Sequence, residues 1–561
     1  MKLERSGWMT GMAFALSAVG GVAFAATSPD HMVLVVDSAK ATGGASIAAY
    51  GYDPINDVVY AVGYTGGAQI RQVTNVSNPA MQVSTLFVTT NDWLMFLKDG
   101  HTDWSCGTPT LGSLVLNPRT VYEADGVTVK FGPYTQAWIE DAATAVREGT
   151  STYHYELTQR VYRYNLQAVG LPGNPPPPYG DGRDVFTSLA TLQQMADAIG
   201  VTPPGTSNIQ KQVAFSTDGE WVYFTESGPT YGGIWKVRAR DGSGLTRLHQ
   251  ATGSSTADRI YTEPGVVHTS VRDLDPSNPA TGDQILFEGR PLTGNNGGID
   301  YLIHDGTNVS TPIALLTSAT LKTFLETTSD THIFAIQVDD VGNIYFDDTT
   351  TKVLGLYDTV GRLIKVKSRL EQIEFNSANG STGTGAATQK LQWRSTQYDP
   401  TGGDPSDAFP VKQLLFASVD LKAIGGIYCF KPCDFNRDNS VDNADVVVFR
   451  TMLAKGPTTP PNTDPDYLTY LKCDLNGNGS VSAMDIEILK RFVVDTDEDS
   501  DVDLADFSFF QSCFNGPNRP YAQANCDMAD YDMDDDVDLT DFAFFQSCFN
   551  GPNRPLNCAQ L

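Results

Sequence analysis

Hydrophobic residues along this chain fall into three regimes. The first is one apolar, small-residue run from Trp8 to Val22, preceded by Lys2 and Arg5 and followed by Ala23, Phe24 and Ala25. A positive start, an apolar stretch and an A-x-A site predict a secretory signal peptide over residues 1–25, with the mature chain beginning at Ala26. In the second regime, from about Asp30 to Phe430, short β-branched and aromatic runs alternate with Gly, Asn and Asp, the pattern of many short antiparallel strands. A helical period occurs there at Ser188 to Gly200, with Leu189, Leu192, Ala196 and Ile199 on one face, and at Thr317 to Glu326. The third regime begins near residue 431. There four apolar, helix-like segments (VVVFRTML, IEILKRFV, FSFFQSCF and FAFFQSCF) each follow a polar stretch of twelve residues.

Within the strand-rich region the pattern repeats. Glu220 to Val237, Gln284 to Ile303 and Gln413 to Phe430 share an apolar strand, a loop and a Gly-Gly-Ile turn into the next strand. Asp57 to Val73 and Gly342 to Asp358 are looser copies. Radial repetition of small antiparallel sheets is how a β-propeller limits its exposed edges, and about 400 residues at roughly 40 to 60 per unit predict about six to eight blades. VAFSTDGEWVYFTESGPTYGGIWKVRARDGSGLTRL resembles a TolB-like propeller blade, and VDDVGNIYFDD resembles the NHL type. The alternative for this region is a pair of β-sandwiches. Leu171 to Arg183 reads as a Pro-rich extended loop. The run GPTTPPNTDPD, between Lys455 and Leu468, reads as a linker.

The polar stretches of the third regime place oxygen-bearing side chains at alternate positions. The first has Asp434, Asn436, Asp438, Ser440, Asp442 and Asp445; the second has Asp474, Asn476, Asn478, Ser480, Ser482 and Asp485. The third has Asp495, Asp497, Asp499, Asp501, Asp503 and Asp506; the fourth has Asp530, Asp532, Asp534, Asp536, Asp538 and Asp541. Calcium takes six to eight oxygens, and a twelve-residue loop supplies them from positions 1, 3, 5, 7, 9 and 12, position 7 through its backbone carbonyl. Four registered copies before apolar segments favour calcium loops over a disordered acidic tail. Position 6 needs a sharp turn; Gly479 suits it, and Asn439, Ser500 and Asp535 stand there in the other loops. Val441, Val481, Val502 and Val537 at position 8 are placed to join paired loops through a short strand contact.

DFNRDNSVDNADVVVFRTML and DLNGNGSVSAMDIEILKRFV resemble the two calcium-binding repeats of dockerin modules, and the last two loops repeat the motif. The resemblance implies one loop and one helix per repeat, calcium as the bound ion, and a cohesin-like protein or cell-surface component as partner. It also implies that positions 10 and 11 help choose the cohesin. Here they are Asn443, Ala444 and Ala483, Met484, where the family usually carries hydroxyl-bearing pairs. The expected organisation is a propeller-like domain over 26–430, a dockerin-like pair over 431–494 and a second pair over 495–561.

The net charge is −28, and residues 431–561 hold 24 acidic against 9 basic side chains. Such a balance argues against nucleic acid, whose phosphates need Lys and Arg, and favours cations. After the first run no stretch is long and apolar enough to span a bilayer. Seven of the eight Cys lie at or beyond Cys429, and in an exported protein they read as disulfides. Cys513 is expected to pair with Cys526 and Cys548 with Cys558. Cys433 and Cys473, each just before a loop, are candidates for a third bridge, and Cys106 and Cys429 are unassigned.

No nucleophile elbow, HExxH, phosphate loop or dinucleotide fingerprint is present. The seven His are scattered; Glu263 with His268, and Glu140 with Asp141, could converge on a loop, but one sequence does not place a carboxylate pair in space, so no catalytic residue is singled out. Trp93, Trp104, Trp138, Trp221, Trp235 and Trp393 suit blade packing, with a glycan-stacking face as the alternative. The leading expectation is a secreted, non-catalytic, calcium-binding propeller protein that binds a protein or glycan and docks through its tail. The runner-up is an extracellular glycoside hydrolase or lyase tethered by that tail.

Overall fold

A computed structural model describes residues 29–561 except 65–67, 99, 107–109, 143–145, 151, 157–158, 167–185, 204–208, 227–229, 251–269, 274–281, 290–296, 386–388, 399–407, 522, 553, 555–557 and 559–561. The signal-peptide expectation, the Pro-rich loop, the Glu263/His268 pair and the side chains of Trp93, Glu140 and Asp141 lie outside what is described.

The chain is mainly β, with a small helical C-terminal part. Among the described residues six four-stranded antiparallel sheets follow one another along the chain. Strand 1 of each is Ile47–Asp53, Thr110–Leu116, Ile209–Phe215, Ser270–Asp273, Ile333–Val338 and Gln389–Tyr398. Each sheet then runs strand to neighbouring strand, as in the third: Ile209–Phe215, Trp221–Glu226, Gly233–Arg238, Thr246–Gln250. The sixth sheet differs, because its fourth strand is Met32–Val36, from the other end of the chain, paired with Ala423–Cys429. The five sequence repeats are the second and third strands of the first, third, fourth, fifth and sixth sheets. The second sheet escaped the repeat pattern because smaller two- and three-stranded sheets are inserted between its strands.

The six first strands approach one another in succession, and the last, Gln389–Tyr398, lies beside the first, Ile47–Asp53. There the Gln392 amide donates from Nε2 to Tyr52 O (2.8 Å) and accepts at Oε1 from Tyr52 N (2.8 Å), imitating a strand partner. Apolar side chains fill the gaps between neighbouring sheets. Trp138, Phe215 and Trp235 pack between the second and third, and Tyr223, Ile285 and Phe287 between the third and fourth. Trp138 and Trp235 are fully buried, which is the packing role expected of them. Polar turns close the hairpins: Asp339 accepts from Val341 N (3.1 Å) and Asn343 N (2.9 Å) across Gly342, whose φ of 95° suits glycine.

Both expected helices form, with one correction. Ser318–Phe324 starts at the Thr317 cap as expected, but Phe186–Thr191 is a strand, and the first helix is only Leu192–Ile199. Pairing with Gln159–Asn165 overrides local helical period at Ser188 and Leu189. The helical part contains Asn443–Ala454, Tyr467–Cys473, Ala483–Val493, Leu504–Cys513 and Leu539–Cys548. The expected linker GPTTPPNTDPD contains no helix and ends at Asp466, where the helix Tyr467–Cys473 begins. Among the described residues no helix is long and apolar enough to cross a membrane.

Candidate metal centres

Each of the four loops leads directly into a helix, and the same side chains do both jobs. The position-9 residues Asp442, Ser482, Asp503 and Asp538 are helix N-caps. Three residues on, Asp445, Asp485, Asp506 and Asp541 close capping boxes by accepting at Oδ2 from the position-9 N–H at 2.8–3.0 Å. Their Oδ1 atoms accept from the N–H of Phe435, Leu475, Thr496 and Tyr531 at 2.6–2.7 Å, folding the loop's start back onto the helix. The position-1 carboxylates Asp434, Asp474, Asp495 and Asp530 accept at Oδ2 from the position-6 N–H at 2.8–3.0 Å. Position 6 is left-handed in every loop: φ is 72° at Asn439, 92° at Gly479, 75° at Ser500 and 73° at Asp535. Even Ser500, the least suited residue, takes that conformation.

Sequence reasoning missed the second left-handed position. At position 4, Arg437, Gly477, Glu498 and Met533 have φ of 67°, 76°, 58° and 61°. A glycine there would have been the signal, and only the second loop has one.

The geometry crowds carboxylates. Asp495, Asp497 and Asp506 each place an oxygen within 4.8 Å of the others, as do Asp501, Asp503 and Asp506 in the same loop. Asp530, Asp532, Asp541 and Asp536, Asp538, Asp541 repeat this in the fourth loop. The first two loops dilute the charge with Asn436, Asn476, Asn478, Ser440, Ser480 and Ser482. Burial pushes the Asp474 carboxyl up to about 6 and Asp485 up to about 7, the latter with a further contribution from Asp474. Burial likewise raises Asp495 to about 6 and Asp541 to about 7, and raises Asp434, Asp445 and Asp530. Asp536 Oδ1 is buried without a hydrogen-bond partner. An all-oxygen donor set that resists ionisation until a cation neutralises it fits calcium. Calcium held by these carboxylates would supply that neutralisation.

Position 8 does not join loop to loop by strand pairing. Val537 is held by the third repeat's Asn515, whose N–H donates to Val537 O (3.1 Å) while Val537 N donates to Asn515 Oδ1 (2.9 Å). Reciprocally, Asn550 N donates to Val502 O (3.1 Å). The FNG segment after each helix thus clamps the opposite loop. Val481 N instead donates to Tyr470 Oη (2.9 Å), and Val441 N to Glu498 Oε1 (2.7 Å). The disulfides Cys513–Cys526 and Cys548–Cys558 form as expected, whereas buried Cys433 and Cys473 are thiols.

Contacts from outside the loops were not legible in the sequence. Glu326, just after the helix Ser318–Phe324, accepts at Oε2 from Asn476 Nδ2 (3.0 Å) and Asn478 Nδ2 (2.5 Å). This leaves both amide oxygens on the loop's side. Arg450, on the first repeat's helix, pairs with Asp530 and Asp535 of the fourth loop.

A separate concavity lies where the six first strands meet, with a volume of about 700 Å³. Each strand contributes to its wall: Tyr52, Leu116, Phe215, Val271, Gln337 and Trp393. The acids on that wall among the described residues are Asp339 and Asp340, both paired with Lys412 at 2.9 and 2.6 Å.

Comparison with known proteins agrees with the loop geometry where it is most specific. A 15% identical structural-genomics protein from Bacteroides thetaiotaomicron covers 71% of this chain and 75% of its own, with a TM-score of 0.37. A gluconolactonase from Xanthomonas campestris is 9% identical, covering 71% and 89% at 0.32, and virginiamycin B lyase from Staphylococcus aureus 12%, covering 71% and 99% at 0.33. Likenesses at that level carry no argument about activity. The Arabidopsis thaliana L-type lectin-domain containing receptor kinase IV.3 is 26% identical over 252 residues, 42% of this chain, which spans only 35% of that curated relative. Residues 432–494 match the dockerin type I domain, so the chain carries that calcium-binding module near its C-terminus.

Proposed function

We propose that this is a secreted calcium-binding protein whose β-domain, residues 26–430, is a six-bladed, non-catalytic β-propeller that binds a protein or glycan. Its module at 431–494 attaches it to a cohesin-bearing protein or cell-surface component, and 495–561 is a second calcium-binding pair with ligands from the third and fourth loops. The observation that carries the attachment is the dockerin match over two loop–helix repeats. In addition, Ala444 and Ala483 are exposed where the resemblance places partner recognition. Support for six blades comes from six consecutive four-stranded sheets, the ring of first strands and the N-terminal strand closing the last sheet. Against the glycan-processing alternative, Asp339 and Asp340 are held by Lys412, and Asp339 is spent on its own turn. Glycoside hydrolysis needs two carboxyls free to act across a bond.

The test is retention of the full chain on an immobilised type I cohesin with calcium, and its release by chelator. Ala444→Arg with Met484→Arg is expected to weaken retention at least tenfold while leaving the calcium-dependent melting temperature in place. Retention indifferent to both chelator and substitution would refute docking through this face.

A further inference from the structure

We propose that the cavity at the meeting of the six first strands binds a small organic carboxylate on a ring of sugar size, held by Arg394 and Tyr50. Arg394 lies on the strand Gln389–Tyr398, lines the cavity and is 6% exposed. Its Nε donates to Gln413 Oε1 (2.9 Å), and its guanidinium sits 5.2 Å from the centre of the Tyr52 ring. Nη1 is buried with no hydrogen-bond partner. Tyr50, on the facing strand Ile47–Asp53, also lines the cavity, is 4% exposed and has a buried hydroxyl with no partner. Burial holds that phenol well above its usual pKa, so it stays a donor.

Leaving a buried guanidinium nitrogen without an acceptor is costly, and the remedy is an anion. Among the described residues the wall does not provide one, because Asp339 and Asp340 are engaged by Lys412. Lys390 and Arg119 line the same cavity, so in a chain of net charge −28 this concavity carries positive charge. One guanidinium nitrogen plus one hydroxyl offers a few directed donors, which suits the two oxygens of a carboxylate better than the three of a phosphate. Tyr52, Tyr134 and Trp393 add flat apolar faces of the kind that stack on sugar rings. A volume of about 700 Å³ accommodates a monosaccharide or disaccharide. A uronic acid meets each of these requirements. The inference takes from the proposed function only its glycan-binding side, and failure of the docking test leaves it standing.

Isothermal titration of the full mature chain, saturated with calcium, would use glucuronate, glucose and glucose 6-phosphate as probes. Glucuronate is expected to bind at least tenfold more tightly than either of the others. Arg394→Gln should weaken it at least tenfold. Tyr50→Phe, which removes only an unbonded hydroxyl, should weaken it severalfold without lowering the melting temperature. Absence of glucuronate binding, preference for the phosphate, or parity with glucose overturns the proposal. So does glucuronate binding that Tyr50→Phe leaves unchanged, and this variant decides alone if Arg394→Gln fails to fold.

Discussion

Removing calcium should make the stability of the tail fall as pH rises, the reverse of the usual behaviour of carboxylates. Burial first, and Asp474 second, raise Asp485 from 3.8 to about 7, and burial raises Asp474 to about 6. A carboxyl whose folded pKa lies above its unfolded value takes up a proton on folding between the two. This contribution is therefore fully present below about pH 4 and is lost as pH climbs through the folded value. At about 1.4 kcal/mol per tenfold change in proton affinity, Asp485 alone gives a gross effect of about 4 kcal/mol. Water entry and loop relaxation reduce this to about 2 kcal/mol, or roughly 5–10 °C in melting temperature for a unit of this size. Bound calcium inverts the dependence, because the ion requires the ionised form. Scanning calorimetry of the full chain at pH 5.0 and 7.5, in calcium or in chelator, measures both. The calcium-induced rise should be larger at pH 7.5 by about 1 kcal/mol, because a little over half of the loss falls between these two pH values. An equal rise at the two pH values would refute the electrostatic account, and no rise at either would refute the calcium assignment.

Other perturbations test separate contacts. Asn515→Ala removes one side of the reciprocal clamp on Val537 and should cost about 1 kcal/mol, read as a lower melting temperature for the last two repeats. Glu326→Ala should weaken calcium binding at the second loop by severalfold in a chelator competition titration, while Glu326→Gln, which keeps an acceptor oxygen, restores part of it. Deleting residues 29–36 uncovers the edge of Ala423–Cys429, and light scattering should then report association of the chain. Mass spectrometry of secreted material should find Ala26 at the N-terminus; an intact Met1 would contradict the signal peptide.

Local rules made much of this molecule legible. The loop register, the helices that follow, two disulfides and five of six central hairpins were all written in spacings of twenty residues or fewer. The second sheet was not, because insertions between its strands break the hairpin apart in sequence. The overextended helix at Ser188 failed for a related reason: a partner strand more than twenty residues away decides that Phe186–Thr191 is β. Nor does any local signal assign Met32–Val36 to a sheet whose other strands begin at Gln389, since that pairing depends on closure of the whole ring.

The same distinction governs how the calcium repeats relate to the rest of the chain. Read from sequence, residues 431–561 are a small tail that ought to need calcium to fold while the β-domain folds alone. The structure gives the tail a second source of stability. Its buried Tyr470, Leu475, Val481 and Ile488 belong to one apolar cluster with Val353, Leu354 and Phe375 of the strand-rich part. Lys365 N donates to Leu475 O (2.8 Å), Tyr467 Oη donates to Glu374 Oε1 (3.2 Å), and Glu326 reaches the second loop's amides. Apolar burial on this scale does not require an ion. The first pair is therefore expected to remain docked in chelator and to lose order chiefly in its loops, whereas the second pair relies more on its own disulfides and calcium. Hydrogen exchange on the full chain separates the two. Chelator should unprotect Asp495–Asp541 more than Tyr467–Val493, and equal deprotection of both would mean that the shared core contributes little.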